Sequence, residues 1–134
     1  MRGEQVRQAR VILPGLGAKD VGPLRRIVAL HLGLWQVSRL ADDATLGITE
    51  LLANAVYHAG GECELLLRRQ QDGLLVAVTD ASPERIQLPD AVQDAENGRG
   101  LCLVRALTSD MGVDYTPAGK RVWFRLALHS ARLA

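Results

Sequence analysis

Two strand-like runs on either side of a tight-turn signal constrain the fold of this chain more than any other feature. The runs are Glu62–Arg69 and Leu74–Thr79, and Gln71-Asp72-Gly73 stands between them. An Asp-Gly step between apolar runs is a strong signal for a β-hairpin. We therefore expect an antiparallel pair of strands in the middle of the chain.

Helix-like segments lie on both sides of this hairpin. Their apolar residues recur at helical spacing, which is typical of helices that bury one face. In chain order, the sequence predicts a strand at Gln8–Leu13, a helix over Val21–Leu40, a helix from an N-cap at Asp42 or Asp43 to about His58, the hairpin, a polar segment from Asp80 to about Asn97, a helix that begins near Gly98-Arg99-Gly100, and a hairpin of Gly112–Tyr115 with Arg121–Leu128. This order predicts an α/β two-layer sandwich with helices on one face of the sheet.

Composition excludes several classes of function. The chain has 134 residues, 48% hydrophobic and 23% charged, which fits one globular domain over 1–134. A net charge of +1 and only 4% aromatic residues argue against a nucleic-acid-binding protein. No apolar run approaches the roughly 20 residues of a membrane span, and the polar N-terminus has no signal core, so we expect a cytoplasmic protein. Cys63 and Cys102 form no C-x-x-C pair, and we expect buried free thiols.

The second predicted helix contains the first candidate site. Glu50 and Asn54 are four residues apart and His58 follows one turn later, so the three share one helix edge. The carboxylate can orient or deprotonate a hydroxyl group, and the amide oxygen can hold a hard cation such as Mg²⁺. The same spacing is also typical of a solvated helix face, and a histidine near a helix C-terminus is favoured by the dipole. Both interpretations stay open.

Two further segments can contact a ligand. Asp80 ends an apolar strand, where its carboxylate can accept a hydrogen bond from an exocyclic amine such as that of adenine, or from its own backbone in a turn. In Asn97-Gly98-Arg99-Gly100-Leu101, two glycines precede a helix whose free N–H groups favour a phosphate. A plain flexible loop before a helix explains these glycines equally well.

In this order and spacing, the three segments resemble the GHKL ATPase superfamily. Glu50 to His58 resembles its N-box, E-x-x-x-N-A-x-x-H; Asp80 resembles the aspartate of its first glycine box; Gly98-Arg99-Gly100-Leu101 resembles its second glycine box. The short length, the stretch DDATLGITELLANAVYHAG and the ending GKRVWFRL are similar to small bacterial serine kinases that act as anti-sigma factors, especially actinobacterial ones. The resemblance covers about Val11 to Leu128 and implies the histidine-kinase-like ATPase fold, with a mixed, mainly antiparallel sheet.

The resemblance implies a role for each matching residue. Glu50 would be the catalytic residue, as the general base or hydroxyl-orienting group, and Asn54 would hold Mg²⁺ at the phosphates of ATP. Asp80 would bind the adenine amino group, with Ser82 close to the base. The remaining cofactor-binding residues implied are His58 near the phosphates and Gly98, Arg99, Gly100 and Leu101 in the ATP lid.

The resemblance also implies an activity and partners. The activity is that of an ATP- and Mg²⁺-dependent serine/threonine protein kinase, an anti-sigma factor that phosphorylates a serine of a partner antagonist protein. Small kinases of this type form dimers and contact the sigma factor near their first strand and helix. This makes Arg25, Arg26 and Trp35 candidate partner contacts, although Trp35 fits core packing as well.

The first glycine box departs from the pattern D-x-G-x-G. It reads Asp80-Ala81-Ser82-Pro83-Glu84, without either glycine, and Lys120-Arg121 follow Gly119 near the family's threonine position. These departures favour an alternative function. In that alternative, the chain is a catalytically weak or inactive module on the same fold that regulates by sequestering a protein partner.

Overall fold

A single five-stranded sheet organises the described part of the chain, which in this computed structural model comprises residues 7–13, 20–59, 62–82, 84–86 and 99–128. In chain order the elements are β1 (Gln8–Leu13), α1 (Val21–Leu34), a 3₁₀ turn (Ser38–Leu40), α2 (Ala41–Ala59), β2 (Cys63–Gln70), β3 (Gly73–Asp80), α3 (Arg99–Leu107), β4 (Asp110–Thr116) and β5 (Gly119–Ala127). The predicted end of the second helix at Gly60-Gly61 lies outside the described residues.

The strand order is β1-β2-β3-β5-β4. The two predicted hairpins, β2–β3 and β4–β5, lie side by side, and β5 pairs with β3 across the segment that contains α3. The α/β two-layer sandwich is confirmed. All four pairings among the described strands are antiparallel, where the sequence predicted a mixed, mainly antiparallel sheet.

One face of the sheet forms the main core with the helices. Helix α2 packs against β3 and β5, and both α1 and α3 pack against α2. Alternate residues of each strand point into this core, as the period of two of a half-buried strand requires. The largest fully buried side chains are Phe124, Leu32, Ile48, Leu51, Leu65, Leu67, Leu74, Val28, Val37, Val76, Val78 and Val104.

The opposite face of the sheet has buried apolar residues of its own. Leu66, Leu75 and Ala77 are buried although they lie outside the main core. The register places Arg10 beside Leu66 and Trp123 beside Ala77. The indole ring of Trp123 lies over Gly112 of β4, where an added Cβ would be 2.6 Å from the ring. This face therefore leaves little of its central apolar surface open.

Helix α1 is shorter than predicted because Gln36 ends it. Gln36 has a φ of 63°, the left-handed conformation that usually favours glycine or asparagine after a helix. The N–H group of Val37 donates to the carbonyl oxygen of Leu32 at 2.9 Å, as in a Schellman motif. Val37 is fully buried. Its packing stabilises the left-handed conformation of Gln36, which glutamine does not favour by itself.

The start of α2 and the position of Trp35 also correct expectations. Helix α2 begins at Ala41, so Asp42 and Asp43 lie in its first turn, where the dipole favours acidic groups, and neither is the N-cap. Trp35 is only 8% exposed and belongs to the core, which agrees with the core-packing alternative, whereas Arg25 and Arg26 are exposed and stay predicted partner contacts. Cys63 is buried, as predicted, whereas Cys102 is half-buried, where a buried thiol was predicted. None of the described helices is long and apolar enough to cross a membrane.

We expect Gly47→Ala to destabilise the fold. A Cβ at Gly47 would lie 2.6 Å from Cζ of Phe124, whose ring is fully buried and has no room to move. The cost of overpacking, about 1–3 kcal/mol, exceeds the gain in helix propensity of about 1 kcal/mol. Denaturant unfolding measures the change.

Gly33→Ala is the matched control for this substitution. Its Cβ would meet only Ser38 Oγ, at 3.6 Å, so the gain in helix propensity remains. Gly33→Ala should keep or raise the free energy of unfolding. An unchanged stability of Gly47→Ala would contradict the packing of α2 on β5.

Candidate functional site

The topology brings the predicted site segments to one end of the molecule. The first turn of α2, the last turn of α3 and the end of β5 line a cavity of about 550 Å³, so α2 and α3 run in opposite directions. The second half of α2 and the first turn of α3 therefore lie at the other end. Ala59 is followed four residues later by Cys63, which pairs with Asp80. Four residues span at most about 14 Å, which keeps the end of α2 close to the end of β3.

Helix α2 presents Glu50 and Asn54 along an edge that is not part of the core. Leu51 and Ala55 are buried against the sheet, whereas Glu50 and Asn54 are half-buried. Spacing of four residues stacks their side chains one turn apart on that edge. Their roles remain predictions. His58 lies in α2, but its side chain is outside the described residues.

Asp80 forms a buried ion pair that the sequence analysis did not foresee. Its Oδ1 atom lies 3.2 Å from Nζ of Lys120, and the side chains of Asp80 and Lys120 are only 2% and 3% exposed. The same ammonium group is 3.5 Å from the carbonyl oxygen of Ser82. Removal of one partner from a buried pair typically costs about 3–5 kcal/mol, because the other charge stays buried without compensation. The group predicted to bind adenine is therefore already bound within the protein.

A tight turn after β3 uses the same carboxylate oxygen. The N–H group of Ser82 donates to Asp80 Oδ1 at 2.8 Å, and the N–H group of Glu84 donates to Ser82 Oγ at 3.1 Å. The alternative in which Asp80 binds its own backbone is thus present in the structure. Ser82 is buried, with 9% of its surface exposed. Its hydroxyl oxygen stabilises the turn, and its predicted closeness to a base remains a prediction.

Gly119 allows β5 to approach this turn. A Cβ at Gly119 would collide with the carbonyl oxygen of Asp80, and its φ of 153° is one that residues with side chains rarely adopt. The close approach places Lys120 opposite Asp80 in the sheet register. Glycine at this position is therefore a condition for the ion pair.

Tyr115 on the edge strand anchors the segment that follows the turn. Its hydroxyl group accepts a hydrogen bond from the N–H group of Ile86 at 3.0 Å and donates one to the carbonyl oxygen of Ile86 at 3.2 Å. The guanidinium group of Arg85 lies 4.4 Å from the centre of the Tyr115 ring, within cation–π distance. The segment that leads towards the predicted lid is thereby held against β4.

A small cavity of about 260 Å³ adjoins Asp80 and the buried thiol of Cys63. Burial raises the pKa of the Cys63 thiol above its usual range, and the nearby carboxylates of Asp80 and Glu62 add to this effect. The thiol therefore stays protonated and is a poor nucleophile or metal ligand. This agrees with a structural role for Cys63.

The predicted phosphate-binding segment is described only in part. Arg99 and Gly100 open α3, but the side chain of Arg99 is outside the described residues, as is the whole of Gly98. Leu101 is 7% exposed and packs in the core, so only its backbone could contact a ligand. The roles of these four residues remain predictions.

The side-chain oxygen atoms of Glu50 and Asn54 on α2 fit a magnesium ion bound with a nucleotide better than a metal ion held by three or more protein ligands. The described residues contain no group of three or more His, Cys, Asp or Glu side chains that could hold a metal ion. Magnesium bound with a nucleotide commonly takes one or two protein oxygens, and phosphate oxygens and water complete its shell. The half-buried amide of Asn54 can supply one such oxygen.

The comparison with protein families decides the classification. The sequence matches the histidine kinase-like ATPase domain over residues 16–126. The chain belongs to this family. The matched range contains Glu50–His58, Asp80 and Lys120, and the match confirms the GHKL superfamily that the order of motifs predicted. The comparison with curated proteins found no match.

The sequence pattern of β5 indicates that Lys120 points into the core. On β5, Lys120 is in phase with Val122, Phe124 and Leu126, which all point into the core. A lysine at a buried position needs a partner for its charge. The pattern therefore indicated an inward lysine, although it did not indicate which carboxylate would pair with it.

We expect a double-mutant cycle to show strong coupling between Asp80 and Lys120. Lys120→Met and Asp80→Asn should each lower the free energy of unfolding, by about 3–5 kcal/mol, because each leaves a charged partner buried alone. The double variant should lose clearly less than the sum of the two. Chemical unfolding of the four proteins measures the coupling, and additive losses would contradict the ion pair.

Cys63 should react slowly with iodoacetamide in a Cys102→Ser variant. The raised pKa means that its thiolate forms only at higher pH than in a free cysteine, and burial limits access. Because the folded pKa exceeds the unfolded one, the thiol's contribution to stability is present at lower pH and is lost as the pH rises through the folded pKa. Mass spectrometry follows the labelling, with Cys63→Ser as the control that reports on Cys102. Labelling at the rate of a free cysteine would contradict the buried position.

Proposed function

We propose that the chain is an ATP- and Mg²⁺-dependent serine/threonine protein kinase that acts as an anti-sigma regulatory factor. The observation that supports this most is the half-buried pair of Glu50 and Asn54 on α2, within a histidine kinase-like ATPase domain. The substrate is a serine of a partner antagonist protein, and the kinase acts as a homodimer. ATP and sigma factors are cytoplasmic, so the proposed activity needs a cytoplasmic location.

The transfer requires few protein groups. The serine Oγ of the partner attacks the γ-phosphorus of ATP, the bond from that phosphorus to the bridging oxygen breaks, and ADP leaves. Glu50 orients the serine hydroxyl group and accepts its proton. Asn54 supplies an oxygen ligand for Mg²⁺, which neutralises charge on the phosphates when bound. The first turn of α3 offers backbone N–H groups to the same anions.

A specific observation favours a second function. Asp80 is bound to Lys120 and to the turn of Ser82, so the group expected to recognise adenine is engaged within the protein. A domain with a closed base site and an open helix edge would use nucleotide weakly or not at all. In this alternative, the protein regulates by sequestering a partner.

Substitutions on α2 test the kinase proposal. Glu50→Gln should bind ATP as the wild type does but lose transfer by roughly a hundredfold or more, because it removes the proton acceptor. Asn54→Ala should remove the Mg²⁺ dependence of ATP binding. Calorimetry with and without Mg²⁺ measures binding, and mass spectrometry of phosphoserine in a cell lysate incubated with ATP measures transfer.

Asp43→Asn is the matched control for these variants. Asp43 lies on the same helix at its opposite end, beside the cavity of about 550 Å³, so it should change neither binding nor transfer. No ATP binding by the wild type at millimolar concentration would overturn the kinase proposal in favour of the sequestering module. Equal transfer by Glu50→Gln and the wild type would show that Glu50 is not the catalytic residue.

A further inference from the structure

We propose that Lys120 is a specificity-determining residue that removes the adenine amino group from nucleotide recognition. Its ammonium group is held at 3.2 Å on Asp80 Oδ1, the carboxylate that would otherwise accept that amine. The inference rests on the proposed function, since it requires that ATP binds beside α2 and the end of β3. The protein then binds the nucleotide through its phosphates and does not recognise the amino group on the edge of the base.

The Oδ1 atom of the Asp80 carboxylate has no acceptor position left for a ligand. Its Oδ1 atom accepts from the N–H group of Ser82 at 2.8 Å and from Lys120 at 3.2 Å. An ionised carboxylate has about two acceptor positions on each oxygen, so these two donors fill Oδ1. For Oδ2 the limit is access: only 2% of the Asp80 side chain is exposed, which leaves almost no open surface for the amine of a base.

Exchange of the ammonium group for an adenine amine is unfavourable. A bond between two charged groups is stronger than one from a neutral amine, so the amine is the weaker donor for Asp80. Displacement would also leave the charge of Lys120 in a site where its side chain is 3% exposed. Lys120 lies on β5, which is paired on both sides by β3 and β4, so its backbone is fixed in place.

The amino group of adenine can be tested with the wild-type protein. ATP and purine riboside triphosphate, which lacks the 6-amino group, should bind the wild type with affinities within about threefold of each other in calorimetry with Mg²⁺. In Lys120→Met, Asp80 is free to accept the amine. ATP should then bind about tenfold to a hundredfold more tightly than the analogue, the range for a hydrogen bond to a charged acceptor.

Arg121→Met is the matched control. Arg121 is the next residue of β5 and points to the opposite face of the sheet, so its loss should leave the ratio of the two affinities unchanged. A merely structural role for Lys120 would lower both affinities together and would not change their ratio. Circular dichroism establishes whether Lys120→Met is folded. The comparison of ATP with purine riboside triphosphate on the wild type needs no variant.

Two results would overturn the inference alone. One is a wild type that binds ATP more than about tenfold more tightly than purine riboside triphosphate. The other is a folded Lys120→Met variant that binds both nucleotides with the same ratio as the wild type. Failure of the wild type and of Lys120→Met to bind either nucleotide would overturn the proposed function as well, which separates the two cases.

Discussion

The buried ion pair between Asp80 and Lys120 joins the parts of the structure on which the candidate site depends. It connects the end of β3 with the start of β5, and the turn of Ser82 closes on the same carboxylate oxygen. The pair forms because Gly119 lets the two backbones approach closely. A buried pair of this kind is weak evidence for stability, since well-packed apolar residues often do as well. Its effect here is to engage the carboxylate that is predicted to bind adenine.

The two ends of the candidate site therefore differ in chemical character. The edge of α2 presents Glu50 and Asn54 half-buried, whereas Asp80 is almost fully covered. Phosphoryl transfer depends on positioning and charge neutralisation at the phosphates, which the edge of α2 can supply. Recognition of the base is a separate task and uses separate residues. The proposed transfer therefore depends on groups other than the carboxylate that pairs with Lys120.

Periodicity in the sequence predicted most of the fold. The bounds of β1 at Gln8–Leu13 and the hairpin of β2 with β3 follow from local patterns, and the structure confirms both. The end of α1 could not be predicted, because Gln36 adopts a left-handed φ that its residue type does not favour. That conformation depends on the burial of Val37 and is thus set by tertiary packing.

The candidate site shows the same division between local and long-range information. Spacing of four residues predicted that Glu50 and Asn54 share a helix edge, and this needs no knowledge of the rest of the chain. The partner of Asp80 is 40 residues away and depends on the register of β5 against β3. Lys120 nevertheless stands in phase with buried residues, and a buried lysine requires an acid. An inward lysine in register with the predicted adenine-binding carboxylate is therefore a sequence sign that this carboxylate is engaged within the protein.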